Sequence, residues 1–261
     1  MAEALLNSQV GSAVYPSLVG RRVIITGGAS GIGAGMVEAF ARQGALVAFL
    51  DVLDEAGAQV SAKFSDAAAA PIFTHCDLTD VEALRSCMED LLERMGGCDV
   101  LVNNAANDQR HQLMEVTPLS WEQGLAVNLR HFFFAAQAVV PAMQANGAGS
   151  IINLGSVSWH LGLENLAVYQ TAKAAIEGLT RSLAREVGRY GIRVNAIIPG
   201  NVKTPRQMEW YTPEGEAKIV AEQCLDGRIE PVDVAAMALF LASDEARFCT
   251  AHNYWVDAGW R

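Results

Sequence analysis

Short apolar runs alternate with longer amphipathic stretches along most of this chain. Arg22–Thr26 (RVIIT) is short, apolar and β-branched, the pattern of a strand covered on both faces, and Ala45–Leu50 repeats it. Further strands are predicted at Ile72–Cys76, Val100–Asn103, Ser150–Leu154, Arg193–Ile198 and near Tyr254–Val256. Between them, apolar positions recur at helical spacing over Ile32–Arg42, Asp54–Ser65, Asp80–Met95, Pro118–Asn146, Val168–Tyr190 and Val232–Ala242. The stretch Pro199–Glu230 follows neither period.

Strict strand–helix alternation requires a parallel sheet, because each crossover helix returns the chain to the same end of the next strand. Right-handed crossovers then give an α/β fold: a single doubly wound parallel sheet of Rossmann type, with helices on both faces. No linker, repeat or low-complexity segment divides the chain. The expected organisation is an N-terminal extension over residues 1–20 and one catalytic domain over residues 21–261, with a substrate lid at residues 201–227. With 261 residues and 51% hydrophobic content there is ample material for one core.

The formal net charge of −10 comes without a Lys/Arg stripe or basic amphipathic helix, so neither nucleic acid nor a membrane is an expected partner. The five cysteines form no Cys-x-x-Cys pair, and MAEALLNSQV has neither the charged nor the apolar region of a signal peptide. A cytoplasmic protein without disulfides is the expectation. The histidines show no ligand-like spacing, and no metal is expected.

Candidate chemistry starts where the first strand opens into TGGASGIG at Thr26–Gly33. Gly27, Gly31 and Gly33 permit a tight turn and close backbone approach, and the following helix N-terminus can hold a pyrophosphate. Asp51 ends the second strand twenty residues after Gly31, a spacing that suits a carboxylate bonded to the adenosine ribose hydroxyls. A 2′-phosphate would meet that negative charge, and Ser30 stands where a basic side chain would be needed, so NAD is expected rather than NADP. The competing reading is a glycine-rich turn with no ligand. Tyr169 and Lys173, four residues apart on a predicted helix, share one face. A phenol with a pKa of about 10 is a poor base near neutrality. A neighbouring ammonium, helped by an oxidised nicotinamide ring, would favour its phenolate, so that Tyr169 takes a proton from a substrate hydroxyl while Ser156 orients the same oxygen. An isolated Tyr/Lys pair would more simply be a snorkelling lysine beside a half-buried ring; the upstream serine and the glycine loop argue otherwise.

Over nearly its whole length the chain resembles the short-chain dehydrogenase/reductase family. The matching pieces are TGGASGIG, Asp77 in CDLTD, NNAA at Asn103–Ala106, Asn128 in VNLR, Ser156, Tyr169-x-x-x-Lys173, and Pro199–Gly200 followed by Thr204. The resemblance implies catalytic roles for Asn128, Ser156, Tyr169 and Lys173, with Asn128 bending its helix and holding a water beside Lys173. It implies cofactor contacts from Gly27, Ser30, Gly31, Ile32 and Gly33, from Asp51, from Asp77 and Leu78 near the adenine, and from Asn104 near a ribose. Tyr169, Lys173, Pro199, Gly200, Val202 and Thr204 complete the implied cofactor set. One departure is Ala106, where many members carry glycine. Self-association as a dimer or tetramer is also implied, with Phe132–Val140 and Ala172–Ala184 as candidate pairing helices; core packing is the alternative use of both stretches.

Within the family, NLRHFFF, GSVSWHLGLENLAVYQTAK and YWVDAGWR are similar to NAD-dependent sugar dehydrogenases that oxidise an aldopentose at C1 to its lactone. A sugar needs aromatic surface together with fixed polar groups. Asn107, Asp108, Ser158, Trp159, His160, Gln170, Asn201, Arg206 and Trp210 are the candidates, each of which could instead be structural. Another aldose (L-arabinose, D-galactose, L-fucose), a ring-bearing alcohol, an NADPH-dependent carbonyl reduction and a non-catalytic NAD-binding scaffold stay open.

Overall fold

The computed structural model describes residues 13–64, 70–209 and 211–260. Among them β1 (Arg22–Thr26), β2 (Leu46–Asp51), β3 (Ile72–His75), β4 (Val100–Asn103), β5 (Gly149–Leu154), β6 (Ile192–Pro199) and β7 (Asn253–Val256) form one sheet in the order β3-β2-β1-β4-β5-β6-β7. Every pairing is parallel. The helices between strands are α1 (Gly31–Arg42), α2 (Asp54–Ala62), α3 (Val81–Met95), α4 (Pro118–Leu125), α5 (His131–Asn146), α6 (Ser158–Leu161) and α7 (Ala167–Val187). Beyond β6 come α8 (Pro205–Met208), α9 (Pro213–Glu222) and α10 (Pro231–Ala242).

Alternate residues of each central strand feed opposite cores, as the pleat requires. Val23 and Ile25 of β1 pack with Phe40 of α1 and Val234 and Leu241 of α10. Ile24 lies on the other face with Leu84 and Met88 of α3, Val139 and Met143 of α5 and Leu183 of α7. Both faces are dry, which is why the strands read as unbroken apolar runs. Leu18 is fully buried in the first of these cores, so the packed unit begins ahead of residue 21, where the sequence placed its boundary. Strand order reverses between β1 and β4, and a crevice opens at their carboxyl ends.

The predicted helix over Pro118–Asn146 is interrupted. A π turn at Ala126–Arg130 separates α4 from α5. Its cause is local: the Asn128 side-chain amide donates to the Gly124 carbonyl (3.0 Å), competing for the oxygen that the regular ladder would use. Helix α3 has conventional ends, with the Asp80 carboxylate accepting from the backbone of Glu82 and Ala83 and Gly96 closing it in the left-handed region at φ 70°. Residues 199–230, predicted as irregular, carry α8 and α9, each opened by a threonine cap and a proline.

The middle of the sheet is pinned by buried polar groups. Asn103 of β4 donates to Asn153 of β5 at 3.0 Å, and Asn153 donates to the Thr180 hydroxyl of α7 at 3.0 Å. All three side chains are fully buried. Asn153→Ala leaves two buried partners unmatched and is expected to lower the unfolding free energy by about 1–3 kcal/mol, measured by chemical denaturation.

Candidate active site

Two clefts meet at the carboxyl ends of the strands and share Ile32, Asn104, Ala106 and Thr204 as a common wall. The larger, about 440 Å³, runs along the glycine loop. Gly27, Ser30, Gly31, Ile32 and Gly33 form its floor, with Asp51 after β2, Asp77 and Leu78 after β3, and Asn104 after β4. The smaller, about 190 Å³, is walled by Ser156, Ser158, Tyr169, Lys173, Pro199, Gly200, Asn201 and Val202.

Steric demand explains the glycines. Gly27 (φ +69°) and Gly31 (φ +52°) adopt left-handed backbone, and a Cβ on Gly27 would stand 2.7 Å from the Ala105 Cα. A Cβ on Gly33 would lie 1.8 Å from the Gly27 carbonyl oxygen and 2.7 Å from the Asn104 amide nitrogen. The resulting junction is closed by hydrogen bonds: Asn104 donates to the carbonyls of Thr26 and Gly27, and the Thr26 hydroxyl accepts from the backbone of Asn104 and Ala105. His131, fully buried, holds the Ala105 carbonyl through Nε2 at 3.0 Å. Burial pushes its pKa down to about 4, leaving a neutral ring that donates that bond. Ala106 has ordinary negative φ, so nothing in the turn demands glycine there and the departure noted in the sequence is harmless.

A dinucleotide fits this cleft. Its wall is backbone left bare by the glycines, and Asp51 stands at the edge with its carboxylate accepting from the backbone of Ala29, Val52 and Leu53. Arg206, the one basic side chain among the described residues lining this cleft, is already bonded to Asn107 (2.7 Å) and paired with Asp108 (3.1 Å).

Lys173 is 1% exposed and donates to the Leu154 carbonyl at 2.7 Å. Burial lowers its pKa to about 7, against which the Asp108 carboxylate acts in the raising direction. Its Nζ lies 5.5 Å from the centre of the Tyr169 ring and 5.2 Å from that of Phe132. Tyr169 keeps part of its surface open to the cleft, yet burial pushes its phenol up to about 12, with the neighbouring Ser156 hydroxyl opposing and Asp108 reinforcing the rise. In the cofactor-free protein, burial is the largest influence on this phenol. Asn128 is buried and fully engaged, accepting from the Asn107 backbone (2.8 Å) and donating to the Asn107 and Gly124 carbonyls. Its side chain fastens the loop after β4 to the helix break.

Several predicted substrate contacts lie elsewhere. Trp159 and His160 both donate to one oxygen of Glu177 (2.9 and 2.8 Å) and stack on each other at 3.6 Å, so neither lines the substrate cleft. Gln170 turns to the Leu163 carbonyl at 2.7 Å and supports the loop before α7 instead. Asn107 and Arg206 line the larger cleft rather than the smaller one, whereas Ser158 and Asn201 do face the smaller. Trp210 lies outside the described residues. Sequence reasoning missed Gln207, Tyr211, Leu163, Leu166 and Trp260, which all line the substrate cleft. It also missed Glu177, whose position one turn beyond Lys173 on the same helix face was a usable signal. Trp260 sits on the wall from the far end of the chain, and nothing local announces it.

A glycine-lined cleft at the switch point of a doubly wound sheet, with a serine, a tyrosine and a buried lysine beside it, defines a nicotinamide-dependent oxidoreductase. The sequence profile of the enoyl-(acyl carrier protein) reductase family matches residues 27–261. A D-xylose 1-dehydrogenase of Caulobacter vibrioides is 57% identical over 96% of this chain and 99% of that protein. A probable galactose dehydrogenase of Rhizobium meliloti is 46% identical over 95% of this chain and 98% of its own length. Among solved structures, a 3-oxoacyl-[acyl-carrier protein] reductase from Brucella melitensis superposes with a TM-score of 0.87 at 31% identity, covering 94% of this chain and 93% of that one. The chain belongs to the short-chain dehydrogenase/reductase family, and it is a dehydrogenase acting on CH–OH groups.

Two outcomes follow from the site. Gly33→Ala is expected to abolish dinucleotide binding while the sheet still folds, read by cofactor fluorescence titration alongside circular dichroism. Lys173, held at about 7 rather than its ordinary 10.5, binds its proton more readily in the unfolded chain. Stability of the cofactor-free protein should gain from this lysine as pH rises from about 7 to 10.5 and gain nothing further above it. Subtracting the denaturation profile of Lys173→Met from that of the wild type isolates the slope.

Proposed function

We propose that this enzyme oxidises an aldose at C1 with NAD, D-xylose being the first candidate substrate and xylonolactone its product. The observation that carries the proposal is the convergence of Ser156, Tyr169 and Lys173 on a small cleft that opens into the glycine-lined one. The similarity to a D-xylose 1-dehydrogenase and a probable galactose dehydrogenase supports the aldose assignment, with D-galactose, L-arabinose and L-fucose as alternatives of the same class.

NAD rather than NADP is favoured because Asp51 puts a carboxylate at the cleft edge and Arg206, the one lining cation among the described residues, is committed to Asn107 and Asp108. Residues Gly27–Gly33, Asp51, Asp77, Leu78, Asn104, Pro199, Gly200, Val202 and Thr204 would hold the dinucleotide. When bound, oxidised NAD supplies the hydride acceptor and a positive charge beside the phenol, the help that a tyrosine raised to about 12 needs to ionise. Ser156, whose hydroxyl donates to Ser158 at 2.9 Å and accepts from the Ser158 backbone, presents a fixed oxygen to the anomeric hydroxyl. Tyr169 takes the proton of that hydroxyl as C1 loses its hydride and the C1–O bond becomes a carbonyl. Lys173 stands beside the phenol as the group that shares its proton, and Asn128 keeps the loop after β4 in register.

Residues 201–227 act as the lid of the single domain and shield the hydride path from water. A cytoplasmic homo-oligomer is the proposed assembly. Most of Phe132–Val140 is committed to the core, but Phe133 is 44% exposed and an outward face of small residues on α7 lies open to a second copy. Among the described residues no helix is long and apolar enough to cross a membrane.

A screen of aldoses with NAD and NADP, followed by absorbance of the reduced cofactor, tests the proposal; turnover of no aldose would end it. Tyr169→Phe is expected to lower kcat by about 10²–10⁴-fold with NAD affinity nearly intact. Near-normal turnover by that variant would remove Tyr169 from the role.

A further inference from the structure

Across the mouth of the substrate cleft runs one unbroken hydrogen-bonded chain. Arg228 donates to the Asn201 side-chain oxygen at 2.9 Å, and the Asn201 amide donates to the Tyr211 hydroxyl. Tyr211 donates to the Gln207 oxygen at 2.7 Å, and the Gln207 amide donates to Asp108 at 2.6 Å. A guanidinium can only donate and an ionised carboxylate can only accept, so the two ends force the orientation of every amide between them. Each link then polarises the next in the same sense, from cation to anion. Arg228 is itself held by Glu216 at 2.6 Å, and Asp108 by Arg206 at 3.1 Å, so both ends are anchored.

The three middle members, Asn201, Tyr211 and Gln207, and the acidic end, Asp108, all line the cleft that holds Ser156, Tyr169 and Lys173. None exhausts its capacity in the chain. Each amide nitrogen has a second proton, the Tyr211 oxygen has a second lone pair, and Asp108, the one acidic residue among the described residues lining this cleft, has further lone pairs. The wall thus offers donors and acceptors alternately along one line. Neighbouring hydroxyls on a ring, each both donor and acceptor, match such a line; an apolar ring would leave it unpaired.

We propose that this chain reads the vicinal hydroxyls of the substrate ring, and that it, rather than Trp159 or His160, selects polyhydroxylated rings over apolar cyclic alcohols. The inference rests on the aldose assignment above and deepens it. Because Asn201, Gln207 and Tyr211 belong to the lid and Asp108 to the loop after β4, substrate selection and lid position are set by the same bonds.

The test is a cycle between enzyme and substrate. The kcat/KM of the wild type and of Tyr211→Phe is measured for D-xylose and its 2-, 3- and 4-deoxy analogues. For at least one analogue the wild type should lose about tenfold or more, and Tyr211→Phe should lose little more when the same hydroxyl is removed. Its KM for NAD should stay close to that of the wild type, a readout that a general loosening of the site would move. Losses that simply multiply at every position overturn the inference while leaving the aldose assignment standing. A wild type that oxidises no aldose overturns both. Gln207→Leu breaks the chain one link further on and carries the same measurement if Tyr211→Phe does not fold.

Discussion

The site depends on how closely the ends of β1 and β4 can approach. At that junction a Cβ on Gly33 would overlap the Gly27 carbonyl, and one on Gly27 would press into Ala105. The space so gained is occupied by the Asn104 amide, which donates to the carbonyls of Thr26 and Gly27. Backbone that would otherwise be unpaired at the end of a buried strand is satisfied without a side chain entering the cleft. The loop after β4 leaves this contact through Ala105 and Ala106, is fastened at Asn107 by Asn128, and presents Asp108 to Gln207 of α8.

Electrostatics at the site are governed by burial more than by pairing. Lys173 and Tyr169 both have their charged forms disfavoured, one lowered to about 7 and the other raised to about 12. The two shifts have one cause, removal from water, and they leave a pair whose neutral members are the comfortable ones. Asp108 acts on both groups, tending to raise each, so the carboxylate at the cleft mouth is electrically coupled to the chemistry at its base.

Around this centre, polar side chains do structural work that the chemistry alone would not suggest. Glu177 gathers Trp159, His160 and Asn253, tying α6, which follows Ser156, to α7 and to β7. Asn128 breaks a helix in order to hold a loop. In both cases an amide or a carboxylate joins elements distant in sequence.

The fold and the grouping of Ser156, Tyr169 and Lys173 at one cleft were legible in the sequence because they follow local rules. Strand runs such as RVIIT carry the signature of burial on both faces, the glycines of TGGASGIG mark backbone that must bend and be approached, and Tyr169 and Lys173 share a helix face by spacing alone. Which side chains of the segment after β6 line the smaller cleft was not legible in this way. Trp159 and His160 looked like sugar platforms, yet the tertiary structure turns them onto Glu177. Gln207, Tyr211 and Trp260 carried no local sign of facing the cleft. The helix break at Asn128, implied by the family resemblance but not by the apolar pattern of Pro118–Asn146, is a competition for the Gly124 carbonyl. Periodicity and spacing determine which elements form and which residues share a face, since those depend on neighbours in the chain. Where a side chain of an irregular segment ends, and whether burial overrides a neighbouring charge, depends on atoms brought together from distant positions, and only the folded arrangement decided it.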